Sequence, residues 1–125
     1  MKKIPLIAIF DVGKTNKKVL LFDELYKVVY EYGQQLEETM DEDGFPCENV
    51  ILLTEWIRDS FQRLLNEQKF DIKAVNFSAY GASFVYLDDE LNVILSLYNY
   101  LKPYPPDLQK KFYAQFGGEA VLARE

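Results

Sequence analysis

Histidine is absent from this 125-residue sequence, and cysteine occurs once, as Cys47. The first absence removes Ser-His-Asp catalysis and histidine-based zinc sites. It also leaves Cys47 without an imidazole to activate it as a nucleophile. A lone cysteine cannot close an internal disulfide, which fits a reducing, cytoplasmic compartment. No apolar run approaches the roughly 18 residues of a membrane-spanning helix. The basic start, Met1-Lys2-Lys3, leads into an apolar stretch that breaks at Asp11 without a cleavage site, so no signal peptide is read. Positive charge is scarce as well. Lys and Arg number 14 against 20 Asp and Glu, a net charge of −6. That is the wrong sign for a nucleic acid or an anionic membrane as partner.

What is there fits one globular domain. The hydrophobic share is 49% and the charged share 27%, ordinary for soluble proteins. A domain of this length buries roughly two-thirds of its unfolded-chain surface. The aromatic share of 15% is high, with nine Tyr and nine Phe. Many fall in the second half, among them Phe77, Phe84, Tyr98, Tyr104 and Phe112. They fit core packing, or equally a surface that meets another domain or subunit.

The chain is organised around the stretch from Ile7 to Asp23. Two apolar runs, Ile4–Phe10 and Lys18–Phe22, flank a polar connection from Asp11 to Lys17, a β-hairpin by pattern. Gly13 lets the backbone approach a ligand closely and take positive φ. Amides in such a turn can form a concave anion site. Thr15 and Asn16 add hydrogen-bonding groups, and Lys14, Lys17 and Lys18 add positive charge. Asp11, at the end of a buried strand, could hold Mg²⁺ directly or through water, since hard cations prefer oxygen ligands. The plainer reading is a solvated, lysine-rich turn. A short glycine turn is a weak motif by itself.

Tyr26–Gln34 alternates as a third strand, which makes an antiparallel meander. The acidic stretch from Glu37 to Gly44 lacks the ligand spacing of an EF-hand and reads as a solvated loop. Asn49–Glu67 reads as a helix, with Asn49 as N-cap and Val50, Leu53, Trp56 or Ile57, Phe61 and Leu64 as one apolar stripe. Ile72–Ser78 is a strand after it, and a helical crossover suits a parallel neighbour. Phe84–Asp88 and Val93–Tyr98 read as a hairpin. Pro103, Pro105 and Pro106 make a stiff linker, a helix follows from Pro106, and Gly117-Gly118 stops it. The order is β-β-β-α-β, then a hairpin and a helix. By pattern alone that is an α/β fold with a mixed sheet.

Asp11, Gly13 and Thr15 resemble the first phosphate motif of the actin-like ATPase superfamily, Asp-x-Gly-x-Thr, followed by a strand. Lys18 stands where FGGY carbohydrate kinases often carry a basic residue. Lys14 is bulkier than the small residue common in that turn. Asn76-Phe77-Ser78-Ala79-Tyr80-Gly81-Ala82-Ser83, with the hairpin ending Leu87-Asp88, is similar to the rhamnulokinase-like branch of that family. Two departures stand out. Ser83 replaces an Asp, and Asn99 and Lys102 replace an Asp and an Arg that meet the sugar.

The resemblance implies a ribonuclease-H-like mixed sheet. It implies ATP and Mg²⁺ as cofactors, with Asp11 organising the metal and Asp11, Gly13, Thr15, Asn16 and Lys18 forming the phosphate turn. Tyr80, Gly81, Ser83 and Asn99 would lie near a sugar substrate. Residues 1–125 would then be an incomplete single domain, the N-terminal part of a kinase whose catalytic base and second actin-like domain lie downstream, inactive or nearly so alone. Self-association, as far as a homodimer, is allowed. Two alternatives stay open. One is a non-catalytic nucleotide- or protein-binding module. The other is a different actin-like kinase, related to pantothenate or acetate kinases.

Overall fold

The computed structural model describes residues 2–124. The meander is present: β1 (Ile4–Val12), β2 (Lys17–Phe22) and β3 (Val28–Gln34) pair antiparallel in sequence order. The third strand starts two residues later than its pattern suggests. Tyr26 belongs to the turn instead, with φ +59° and its amide donating to the Asp23 carbonyl. A two-residue pair follows, β4 (Thr39–Met40) with β5 (Pro46–Cys47), then α1 (Val50–Asn66) and β6 (Phe70–Ala79). β6 lies parallel to β1, so the main sheet runs β3-β2-β1-β6. The fold is the mixed α/β sheet expected, three antiparallel strands and then a helical crossover to a parallel one.

Strict alternation makes one face of the sheet the core. Leu6, Ala8, Phe10 and Val12 on β1 and Val19 and Leu21 on β2 are buried, and each residue between them is not. Trp56 and Leu64 of α1 lie against that face, the Trp56 ring edge-on to Phe10 with centroids 6.0 Å apart. Phe77 of β6 stacks on Phe10 from the side. Asn49 caps α1 as its position predicts, its Oδ1 accepting from the Leu52 amide at 3.1 Å. Asn49→Ala should therefore cost about 1 kcal/mol of stability, read as a lower urea midpoint at unchanged slope.

Beyond β6 the expectations hold less well. The hairpin expected over 84–98 is absent as a ladder. Only a Leu87–Val93 bridge forms, around a turn in which Leu91 has φ +67°. Leu97 bridges instead to the backbone of Glu48, so the second arm leaves its hairpin partner for the start of α1. α2 (Pro106–Gln115) begins at its proline and buries no residue, and Gly117-Gly118, both at positive φ, separate it from the short α3 (Glu119–Leu122). The aromatics of this half favour the surface reading. Phe77, Phe84, Tyr86, Tyr104, Phe112 and Phe116 are exposed.

The acidic stretch is also not a free, solvated loop. Asp41 is buried, and its Oδ1 accepts the amides of Asp43 and Phe45 at 2.9 Å each. Lys102 Nζ donates to Asp41 at 2.6 Å and to Asp43 at 2.7 Å. That ammonium holds the Asp41 carboxyl below its ordinary value, and the two carboxylates hold Lys102 above its own. Tyr98 donates its hydroxyl to Glu42. Three acidic residues close together read as repelled into water. Lys102, more than fifty residues on, makes Asp41 and Asp43 a structural clasp, and Tyr98 holds Glu42 beside it.

Candidate functional site

The β1–β2 connection is a four-residue turn, Gly13 to Asn16, between the paired residues Val12 and Lys17. Among the described residues, none of the four turn amides donates to a backbone carbonyl. Thr15 and Asn16 are exposed at the tip. Asn16 Oδ1 accepts from Gln35 at 3.2 Å, and Lys14 pairs with Glu38 at 2.7 Å. The sequence reading allowed positive φ at Gly13, but the residue does not adopt it, so backbone freedom does not account for the glycine. Close approach demands it instead: a Cβ there would lie 2.6 Å from the Asn16 carbonyl oxygen.

The alternation of the two strands divides the charged residues between faces. Asp11 and Lys18 stand directly opposite in the ladder, on the face turned away from Phe10 and α1. Lys18 pairs with Glu31 at 3.0 Å, and that carboxylate, with Asp11 further off, raises its pKa. Lys17 points the other way, into the protein, and is 2% exposed. Its Nζ donates to the carbonyls of Gly13 at 2.9 Å and Lys14 at 3.1 Å and to Glu48 Oε2 at 2.7 Å. The turn is thus clamped from inside by an ammonium group.

Of the residues expected on the substrate side, Tyr80 reaches the same carboxylate. Tyr80, at the end of β6, donates its amide to the Val12 carbonyl at 3.1 Å and its hydroxyl to Glu48 Oε2 at 3.1 Å. Burial first, and then the neighbouring Glu48 charge, push that hydroxyl's pKa well above the usual tyrosine range. Ser83 Oγ donates to the Tyr98 carbonyl at 2.9 Å. Asn99 Nδ2 donates to the Pro46 carbonyl at 3.3 Å, and its Oδ1 accepts the Leu101 amide. Gly81 has open space where a Cβ would be, and the left-handed residue of that loop is Ala82, φ +63°. The polar atoms of Tyr80, Ser83 and Asn99 therefore all serve contacts within the chain.

Sequence reasoning missed Lys17 and Glu48 as a pair. Lys17 was visible in principle, because it is in phase with Val19 and Leu21 on the buried face. Its partner, 31 residues on, was not. A cleft of about 930 Å³ lies elsewhere, between the first turns of α1 and Val93–Leu97, and shares only Glu48 with the cluster just described. No group of three or more metal-ligating side chains occurs among the described residues. No helix among them is long and apolar enough to cross a membrane.

No protein-family model and no curated protein matches the sequence. Several solved structures share the fold. The glycerol kinase of Plasmodium falciparum, crystallised with ADP, superposes with a TM-score of 0.71 over 90% of this chain and 23% of its own, at 16% identity. A carbohydrate kinase from Novosphingobium aromaticivorans gives 0.71 over 91% and 23%, at 19% identity. The xylulose kinase of Lactobacillus acidophilus gives 0.63 over 74% and 19%, at 20% identity. This chain spans about a fifth of the length of each. The likeness is one of fold, the ribonuclease-H-like mixed sheet that the sequence reading expected.

Proposed function

We propose that this chain is the N-terminal part of an ATP-dependent carbohydrate kinase, whose whole protein transfers the γ-phosphoryl group of ATP to a sugar hydroxyl. The observation that carries the reading is the β1–β2 turn. It presents amides without backbone acceptors at its tip and a carboxylate and an ammonium opposite each other at its base. Unpaired amides in a tight turn attract phosphate oxygens. The sheet that holds this turn is shared with solved sugar and glycerol kinases.

The residues fit a magnesium ion of the kind that stays largely hydrated. One carboxylate, Asp11, is available, and no cage of three acidic ligands surrounds it among the described residues. Mg²⁺ is commonly bound through one or two carboxylates plus phosphate and water. When bound, it would neutralise phosphate charge. The turn amides would orient the phosphates, and Lys18 would add positive charge beside Asp11. Phosphoryl transfer needs positioning and charge neutralisation from both sides. The catalytic base and the second actin-like domain are therefore assigned to the rest of the whole protein, and a sugar to its substrate site near Tyr80, Gly81, Ser83 and Asn99. The exposed Phe77, Phe84, Phe112 and Phe116 support this reading over a self-contained binding module, because apolar surface of that extent usually meets another surface.

Titration of Mg-ATP into the chain, followed by amide NMR shifts, tests the reading. Saturable shifts are expected at Gly13 to Asn16. Asp11→Asn should weaken them about tenfold or more with Mg²⁺ present and much less with ATP alone. Unmoved turn amides at millimolar Mg-ATP would remove the nucleotide site. The chain alone should phosphorylate no sugar, and measurable transfer would sink that part.

A further inference from the structure

We infer that Glu48 is a positioning residue that holds the turn after β1 and the loop after β6 in a fixed relation to each other. One oxygen, Glu48 Oε2, accepts from both sides, from Lys17 Nζ at 2.7 Å and from Tyr80 OH at 3.1 Å. Lys17 passes the restraint on to the turn through the Gly13 and Lys14 carbonyls. Tyr80 passes it on to the loop that begins at Gly81. The Glu48 backbone adds a third tie, its bridge to Leu97, next to the Tyr98 carbonyl that Ser83 holds. Lys17 and Glu48 are both buried, with side chains 2% and 6% exposed. Water therefore competes weakly for these bonds, and charge-assisted bonds of this kind are short and strong.

The arrangement matters because the two segments it joins come from the C-terminal ends of parallel neighbours, β1 and β6. Open α/β sheets place their ligands at those ends. One backbone bond, Tyr80 N–H to the Val12 carbonyl, already joins them. It fixes the strand ends but not the turn tip, which lies beyond Val12. The polar chain through Glu48 reaches that tip. The consequence for phosphoryl transfer rests on the function proposed above: acceptor and phosphate would be kept in register by a residue that touches neither. The coupling itself rests only on this geometry.

The test needs no nucleotide. Backbone ¹⁵N order parameters are measured for the 125-residue chain, for Tyr80→Phe, for Lys17→Met/Glu48→Met and for the triple variant. Tyr80→Phe removes one hydroxyl at the loop end. It should lower the order of Gly13 to Asn16 from about 0.85 toward 0.6, while α1 stays as in the wild type. In the Lys17→Met/Glu48→Met background the turn should already be loose, and adding Tyr80→Phe should change nothing further there, the signature of a shared path. Two outcomes overturn the inference. Tyr80→Phe could loosen Gly81 to Ser83 and leave the turn rigid. Or it could loosen the turn equally in both backgrounds, which would make the Val12–Tyr80 backbone bond the tie. Should the double variant fail to fold, Tyr80→Phe alone still overturns the inference if the turn stays rigid. Failure of Mg-ATP to bind would overturn the kinase reading and leave this result standing.

Discussion

Lys17→Met lowers the stability of this chain by about 3–5 kcal/mol, the loss expected when one partner of a buried ion pair is removed. The reason lies in what stays behind. Glu48 has its side chain 6% exposed, and without the ammonium 2.7 Å away it keeps only the Tyr80 hydroxyl as a side-chain donor and no countercharge. The Gly13 and Lys14 carbonyls lose a donor in the same step. Domains are stable by roughly 5–15 kcal/mol, so a loss of that size brings the chain near unfolding. Methionine fills most of the lysine stem's volume, which keeps a cavity from confusing the result. Lys17→Met/Glu48→Met should recover most of the loss, because a buried pair replaced by apolar residues of similar volume is often neutral. Urea midpoints at constant slope measure both. A single variant as stable as the wild type would mean that the ammonium is not desolvated. A double variant as weak as the single would move the cost from the carboxylate to the two turn carbonyls.

The same pair shows what a sequence can carry. β1, β2 and α1 were legible because each is a local pattern with one buried face, and Asn49 because a cap acts within three residues. The parallel placement of β6 followed from the length of the connection through α1. The pairing of Lys17 with Glu48, of Asp41 with Lys102 and of Tyr80 with Glu48 follows from none of these. Each joins residues more than thirty positions apart, and each inverts what the residue type suggests locally. A lysine in a turn reads as solvated, and an acidic cluster reads as a loop. The residues 84–98 failed for a related reason. Their strand-like composition was real, but strand preference says only that a segment suits a pleated surface, not which neighbour supplies it. Leu97 finds its neighbour at Glu48. The turn proposed to hold phosphate was singled out from Asp11, Gly13 and Thr15, while Lys17 and Glu48, which hold it from inside, lie outside that motif.

Gly13→Ala tests that shape most directly. It should abolish Mg-ATP shifts at the turn and cost about 1–3 kcal/mol, the range for forcing an extra carbon into a filled space. The added Cβ would meet the Asn16 carbonyl oxygen at 2.6 Å, and that oxygen belongs to backbone, not to a side chain that can swing aside. Nor can the turn relax easily. Its ends are pinned by the Val12–Lys17 pair, and its first two carbonyls are held by Lys17 Nζ. Relief must come from rotating peptide units at the tip, which redirects the amides on which the proposed phosphate binding depends. Gly81→Ala is the control. A Cβ there has nothing within 4 Å, and the residue is not at positive φ. Its stability should stay within about 0.5 kcal/mol of the wild type. Its Mg-ATP shifts at Gly13 to Asn16 should be unchanged. If Gly13→Ala matched Gly81→Ala in both measurements, the turn would be able to re-form around an extra carbon, and a glycine at that place would carry no constraint on the ligand site.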